Sequence, residues 1–289
     1  MAISGKTRVC GVIGDPIEHT LSPAIQNAAF NHLKLDFVFL PFRVKAADLE
    51  NSMRGIRGLG VHGLNVTMPH KIAIIPYLDE LDPTVNFLSS ANTILNKDGK
   101  LFGFNTDGIG ALKALQENGA ELSNKKVLLL GAGGAAKAIA FALTKKVEEL
   151  VILNRAAKKA RELAKALRQM FNKEVSGGVL TSDKIVKNLR GSDVLINATS
   201  VGIKPNLSQS LVAPKWLRSD LIVMDIVYNP VETKLVKDAK AVGAKVINGV
   251  EMLIYQGAAS FEIWTNHSVP IEVMRKAALN KLSIAGDSK

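Results

Sequence analysis

The segment from Val127 to Ala136 constrains this 289-residue chain more than any other. Four apolar residues, Val127-Leu128-Leu129-Leu130, run straight into Gly131-Ala132-Gly133-Gly134-Ala135-Ala136. A continuous apolar run reads as a strand buried on both faces, the habit of parallel sheets. The G-x-G-x-x-A spacing then turns the chain into a helix. Gly131 permits the tight turn, Gly133 lets the backbone approach a pyrophosphate, and Ala136 is small enough for close helix–strand packing. The helix start adds unpaired N–H groups and a positive dipole end. A helix and a next strand follow in register, so Gly131, Ala132, Gly133, Gly134 and Ala135 are expected to cradle the phosphates of a dinucleotide.

The end of the second strand bears on which dinucleotide. A site selective for NAD(H) carries a carboxylate there for the ribose 2′-hydroxyl. This chain has Asn154-Arg155-Ala156-Ala157-Lys158-Lys159, with no carboxylate before Glu162. A guanidinium and ammonium groups suit a 2′-phosphate, and they are mildly unfavourable at a helix start unless an anion is bound nearby. The expected cofactor is NADP(H), held on this side by Asn154, Arg155, Ala156, Lys158 and Lys159.

Around that segment, strand-like and helix-like runs alternate. Val127–Leu130, Val151–Leu153, Val175–Leu180, Val194–Ala198, Leu221–Asp225 and Lys245–Ile247 read as strands, separated by helical runs at 134–145, 157–171, 183–190 and 232–242. That pattern specifies a doubly wound parallel sheet, a Rossmann domain. Ahead of it, Val9–Ile13, Phe37–Phe42 and Gly63–Thr67 read as strands of a smaller α/β domain. Ser22-Pro23 is read as the cap and first position of a helix with a stripe of Ile25, Ala28, Ala29 and Leu33. Lys97-Asp98-Gly99-Lys100 reads as a hairpin turn between Thr93–Leu95 and Leu101–Phe104. Asn105-Thr106-Asp107 is expected to cap a helix carrying Ile109, Leu112 and Leu115 and stopping at Gly119. Val250–Thr265 and Pro270–Leu279 read as terminal helices.

Composition narrows the function classes. The net charge of +11 lies almost wholly in residues 109–255, where 23 Lys and Arg face 13 Asp and Glu, whereas residues 1–108 hold ten of each. Aromatics are only 5%, and the basic residues lie on what read as solvated helix faces, so no nucleic-acid partner is expected. Cys10 is the sole cysteine, which excludes an internal disulfide and a thiolate zinc cluster, and no metal site is expected. No signal-peptide core follows the polar start, and no apolar stretch reaches a membrane span; a cytoplasmic protein with no membrane partner is expected.

The first half offers polar clusters after its strands: Gly14-Asp-Pro-Ile-Glu-His-Thr20-Leu-Ser22-Pro23, Asn65-Val-Thr67-Met-Pro-His70-Lys71, Ala91-Asn92-Thr93 and Asn105-Thr106-Asp107-Gly108. Taken singly, Ser22 and Asp107 are also plain helix caps and Asn92 a turn residue. Lys71 stands out, because an ammonium at a helix start beside Pro69 calls for a counter-charge such as Asp107. Taken in order, GDPIEHTLSPAIQNAAF, NVTMPHK, ANTI, NTDGIG, GAGGAA, NR, NATSVG, DIVYNP and NGVEMLIYQGA resemble the shikimate dehydrogenases over residues 11 to 275.

The resemblance implies an α/β protein of two domains, a substrate-binding and catalytic domain from 1–108 plus 255–289 and an NADP-binding Rossmann domain from 109–254. It implies reversible NADPH-dependent reduction of 3-dehydroshikimate to shikimate, in chorismate and aromatic amino-acid biosynthesis. Lys71 corresponds to the catalytic lysine that exchanges the hydroxyl proton, and Asp107 to its carboxylate partner. Thr20 and Ser22 correspond to the hydroxyls that hold the substrate carboxylate. Thr67, Asn92, Tyr228 and Gln256 correspond to further substrate contacts, and Ile226 and Gly249 to the cofactor side. A small-molecule substrate is the implied partner, with a homodimer as the assembly held open. Three positions depart from the family: Thr20 replaces a usual serine, Ser89-Ser90-Ala91 a frequent Gly-Ala-Val, and Ala156 a usual threonine. The alternatives are a quinate/shikimate dehydrogenase using NAD(H), which Arg155 and Lys159 oppose; a folate-linked dehydrogenase, which would not need Thr20 and Ser22; and a non-catalytic ligand-sensing relative, which would not need Lys71 and Asp107.

Overall fold

The computed structural model describes residues 3–287, and their side chains through residue 283. The chain separates into two compact units, Met1–Thr106 with Gln256–Lys289, and Asp107–Tyr255. The first unit contains β1 (Arg8–Gly14), α1 (Ser22–His32), β2 (Phe37–Arg43), α2 (Leu49–Gly58), β3 (Gly63–Val66), α3 (His70–Ala73), β4 (Glu80–Leu81), α4 (Pro83–Leu88), β5 (Thr93–Lys97) and β6 (Lys100–Phe104). The second contains α5 (Asp107–Glu117), β7 (Lys126–Leu130), α6 (Gly134–Thr144), β8 (Glu149–Asn154), α7 (Ala157–Phe171), β9 (Glu174–Val179), α8 (Ser182–Leu189), β10 (Val194–Asn197), β11 (Ile222–Asp225), α9 (Lys234–Ala241) and β12 (Lys245–Ile247). Helix α10 (Gly249–Thr265) begins in the second unit and ends in the first, and α11 (Ile271–Asp287) follows it there.

The second unit is the doubly wound parallel sheet that its alternating runs specify. Its strand order is β12-β11-β10-β7-β8-β9, every neighbouring pair parallel. The chain enters at β7 in the middle and winds outward to both sides, so the order reverses between β7 and β10. Open α/β sheets place their ligands at the C-terminal strand ends of such a switch point.

The first unit carries a mixed sheet of order β2-β1-β3-β5-β6-β4. Strand β1 is parallel to β2 and β3, whereas β5 runs antiparallel to β3 and to β6. The C-terminal ends of β1, β3 and β6 and the N-terminal end of β5 therefore meet at one sheet edge. All four polar clusters of this half leave the sheet at that edge. The β5–β6 hairpin turns on Asp98 and Gly99, with φ of 52° and 85°.

Alternation along the strands sorts the core of this unit. Leu64, Val66 and Ile94 pack with Met53 and Ile56 of α2. Gly63, Asn65 and Thr93 turn to the opposite face, toward α10. There Trp264 donates from Nε1 to the Ile94 carbonyl at 2.9 Å, and Phe261 stacks on Phe30 of α1 at 5.1 Å. These rings hold the second half of α10 against the sheet.

Several local expectations are corrected. Helix α1 has Leu21 as its cap residue and no side-chain capping bond. Ser22 already lies inside the first turn, so its hydroxyl does not cap. The buried stripe of α1 is Ile25, Gln26, Ala29 and Phe30, because Phe30 is drawn into the aromatic cluster and Leu33 lies past the helix end. On α5, Ile109 is exposed and Gly108, Ala111, Ala114 and Leu115 are buried. Small residues win there because α6 comes close: a Cβ on Gly108 would lie 2.3 Å from the Ala138 carbonyl oxygen. Helix α11 continues past Leu279 to Asp287.

Candidate active site

In the second unit every expected cofactor residue lies at the C-terminal edge of the sheet. Gly131 follows β7 with φ +116°, and a Cβ there would lie 2.6 Å from the Ala198 carbonyl oxygen beyond β10. Only glycine meets both demands. Gly133 and Gly134 face open space, with no atom within 4 Å of the Cβ position of either. Gly133 is the cap residue of α6, which has neither a side-chain cap nor an acidic residue in its first turn. The first N–H bonded back into this helix is that of Lys137, to the Gly133 carbonyl at 2.9 Å. Uncapped N–H groups facing open space fit a pyrophosphate.

Asn154 ends β8, and its Nδ2 donates to the Ala156 carbonyl at 3.1 Å. Arg155, Ala156, Lys158 and Lys159 are exposed, and α7 starts at Ala157 without a side-chain cap or an early acidic residue. Lys158 is paired with Glu162 at 3.9 Å, whereas among the described residues the Arg155 and Lys159 side chains have no ion-pair partner. Two cations at a helix start suit the 2′-phosphate of NADP(H). The missing hydroxyl of Ala156 leaves that start uncapped.

Ile226 and Tyr228 follow β11, and Gly249 follows β12. Gly249 is needed for close approach, since a Cβ there would lie 2.4 Å from the Ile226 carbonyl oxygen. Burial pushes the Tyr228 phenol above its ordinary value, so it is a protonated donor at neutral pH.

In the first unit backbone bonds knit the expected substrate residues together. The Asp15 N–H donates to the Met68 carbonyl at 3.0 Å and the Thr67 N–H to the Ile13 carbonyl at 2.9 Å, joining the loops after β1 and β3. Thr20 Oγ1 accepts the Ser22 N–H at 3.3 Å, which sets two hydroxyl side chains at the start of α1. The Ala91 N–H donates to the Lys71 carbonyl at 2.9 Å, tying α3 to the segment that carries Asn92. Asn92 is buried and accepts at Oδ1 from the Thr106 N–H at 2.8 Å; its Nδ2 reaches Gln256 Oε1 on α10 at 3.5 Å. The chain runs directly from Thr106 into Asp107, the buried first residue of α5. Ser89, in the departing loop, occupies the left-handed end of α4 with φ 50°, where glycine is the strain-free residue.

Two polar networks were not assigned from the sequence. One joins Asn65, Thr93, Thr106 and Ser260 to Asn92. The other centres on Asp225, which is fully buried at the end of β11. Its carboxylate accepts from Thr233 Oγ1 at 2.7 Å, Asn197 Nδ2 at 3.0 Å and the Val227 N–H at 3.1 Å, fixing the loops after β10 and β11. The available signal was a polar residue inside an otherwise apolar strand, which must find partners when buried.

Burial raises the Asp225 carboxyl above its ordinary value, against those three hydrogen bonds. The folded state then holds this proton more tightly than the unfolded state. This group's contribution to stability is therefore full below the unfolded value of about 4 and falls as pH rises toward the raised one. Asp225→Asn, which keeps Oδ1, is expected to gain on the wild type as pH rises through that window, measured by urea midpoints. Parallel curves would contradict the assignment.

Among the described residues no cluster of His, Cys, Asp and Glu is placed to hold a metal, and no helix is long and apolar enough to cross a membrane. Nicotinamide chemistry asks a protein for an anchor for the phosphates and for groups that orient an alcohol or carbonyl. A chain that supplies both belongs to the class of pyridine-nucleotide-linked oxidoreductases acting on CH–OH groups. Family models agree: the shikimate dehydrogenase substrate binding domain matches residues 12–94, the shikimate/quinate 5-dehydrogenase model residues 113–242, and the shikimate 5′-dehydrogenase C-terminal domain residues 249–279. The shikimate dehydrogenase (NADP+) of Methanocaldococcus jannaschii is 46% identical over 97% of this chain and 99% of its own length. The crystal structure of a shikimate dehydrogenase in complex with NADP+ has a TM-score of 0.90 at 45% identity, covering 97% of this chain and 98% of that one. That of shikimate 5-dehydrogenase from Listeria monocytogenes, in complex with shikimate and NAD, has a TM-score of 0.91 at 36% identity, covering 96% and 98%. The chain belongs to the shikimate dehydrogenase family.

Proposed function

We propose that this chain catalyses the reversible NADPH-dependent reduction of 3-dehydroshikimate to shikimate, a step of chorismate and aromatic amino-acid biosynthesis. The observation that carries the reading is that the loops bearing Lys71 and a set of short neutral groups leave the sheet of the first unit at one edge. Hydroxyls and amides of Thr20, Ser22, Thr67, Asn92 and Gln256 suit a small polyhydroxylated acid, not an apolar ligand. Thr20 and Ser22 hold the carboxylate, with Tyr228 as a further donor. Lys71 delivers the proton to the carbonyl oxygen that becomes the hydroxyl, and Asp107 is assigned as its carboxylate partner. When bound, NADPH supplies the hydride to the carbonyl carbon. Gly131–Ala135, Ile226 and Gly249 hold its phosphates and nicotinamide side, and Asn154, Arg155 and Lys159 its 2′-phosphate.

The cytoplasm is the compartment assigned, in keeping with the single, buried, free thiol of Cys10. A homodimer is the assembly proposed; the exposed Leu40 and Phe42 on the edge strand β2 support it, and sedimentation equilibrium tests it.

The cofactor reading is tested at Arg155. A charge-assisted hydrogen bond is worth roughly 1.5–3 kcal/mol, and exposure discounts it toward the lower end. Arg155→Ala is expected to raise the KM for NADPH about tenfold and to leave that for NADH nearly unchanged. Equal effects on both would contradict a 2′-phosphate contact.

A further inference from the structure

Helix α1 is held near its middle by two neighbouring carboxamides with different partners. Asn27 Nδ2 donates to the Phe39 carbonyl at 2.9 Å and its Oδ1 accepts the Phe39 N–H at 2.8 Å, which fixes α1 to the edge strand β2. Gln26 Nε2 donates to the Gly257 carbonyl of α10 at 2.9 Å. A carbonyl only accepts, so the Gln26 amide has its nitrogen toward α10. Ser22, Gln26 and Phe30 share one face of α1 at four-residue spacing, as Gly257 and Phe261 do on α10. Phe30 stacks on Phe261 with ring centroids 5.1 Å apart, one turn beyond the Gln26–Gly257 bond on both helices. The two helices therefore advance in step.

The Gln26 bond adds little to stability. Gly257 lies inside α10, where its carbonyl already serves the helix, so no orphan group is satisfied on that side. Gln26 is buried, and its Oε1 has no hydrogen-bond partner among the described residues, a cost that an apolar side chain of the same length would avoid. What the bond supplies is register. Apolar burial is non-directional and tolerates small slides, whereas one buried polar contact selects one alignment. One turn before Gln26 on the same face stands Ser22, whose N–H is accepted by Thr20 Oγ1. The start of α1 has no side-chain cap of its own, so these two hydroxyls stand where the body of the helix puts them.

We propose that Gln26 is a positioning residue that sets the place of the Thr20 and Ser22 hydroxyls and so the fit of a substrate carboxylate against them. The proposal rests on the reading of those hydroxyls as carboxylate contacts. It makes Gln26 a determinant of how tightly a carboxylate ligand is held, with no part in the chemical step.

The test is steady-state kinetics of Gln26→Met with 3-dehydroshikimate and NADPH, beside thermal unfolding. The KM for 3-dehydroshikimate is expected to rise about tenfold, roughly the loss of one charge-assisted hydrogen bond, with kcat and the KM for NADPH unchanged. Tm is expected to stay level or rise, since the orphaned oxygen is gone. In the Ser22→Ala background the same substitution is expected to raise the KM by less than about threefold, because its effect runs through that hydroxyl. A wild-type KM in Gln26→Met, a fall in kcat, or full additivity with Ser22→Ala would overturn the positioning role while leaving the activity standing. A variant that fails to fold, or melts well below the wild type, would make Gln26 a structural residue and overturn the role likewise. Absence of turnover by the wild type overturns the activity and the proposal with it.

Discussion

Lys71→Ala is expected to lower kcat by about 10²–10⁴-fold, the range for removal of a general acid–base group, while the Kd for NADPH stays within about twofold of the wild type. The reason is where the lysine acts. In the proposed mechanism its proton matters as the carbonyl oxygen gains charge, so its loss is felt in the transition state and hardly in cofactor binding. The proposed phosphate cradle at Gly131–Ala135 belongs to the other compact unit and keeps its own geometry. Lys71 is half-buried on the short helix α3, whose carbonyl at Lys71 is tied to Ala91, so an alanine there removes the amine without removing that bond. Fluorescence titration with NADPH and single-turnover kinetics separate the two quantities. Unchanged turnover would remove Lys71 from the chemistry; lost NADPH affinity would mean that the variant has disturbed more than the amine.

The second large effect is expected at Gly131. Gly131→Val forces a β-branched residue into φ +116° and drives its Cβ to 2.6 Å from the Ala198 carbonyl oxygen. Backbone strain of this kind costs about 1–3 kcal/mol and overpacking a similar amount, roughly 2–5 kcal/mol together. The obstructing atom is backbone at the end of the neighbouring strand, so no side-chain rotation relieves it. The variant is expected to lose NADPH binding together with stability, read from urea unfolding with and without cofactor. Gly133→Ala provides the contrast. Its Cβ meets nothing within 4 Å and its φ is −81°, so folding is expected to be nearly unaffected while the added methyl intrudes on the phosphates. A wild-type Kd for NADPH in Gly133→Ala would contradict the phosphate cradle.

How far the chain was legible depended on the range of the signal. The parallel sheet of the second unit was readable because Val127–Leu130 and its sister strands are continuous apolar runs, each closed by a helix with its own period. The hairpin at Asp98-Gly99 was readable because two successive residues with positive φ have few sequence solutions. The first unit was harder. Its strand β3, Gly63–Val66, is buried at every position, yet half of its side chains are a glycine under Trp264 and an asparagine in the buried polar network. Hydrophobicity alone does not reveal that alternation, because the polar residue is paid for by partners nearly 200 positions away on α10. For the same reason Ser22 read as a cap, Ile109 as core and Ser260 as nothing in particular. Caps depend on where the preceding turn ends, and a helix face depends on how closely its neighbour approaches. Lys71 stood out as an ammonium at a helix start in want of a counter-charge such as Asp107, the order of the family motifs assigned the pair its roles, and those roles are the central proposal.

That proposal is most directly tested by NADPH oxidation, followed in the near-ultraviolet, with 3-dehydroshikimate as acceptor and with NADH and 3-dehydroquinate as paired controls. The account predicts rapid turnover with NADPH and 3-dehydroshikimate, a much lower kcat/KM with NADH, and little reduction of 3-dehydroquinate. No turnover with 3-dehydroshikimate and either cofactor would contradict it.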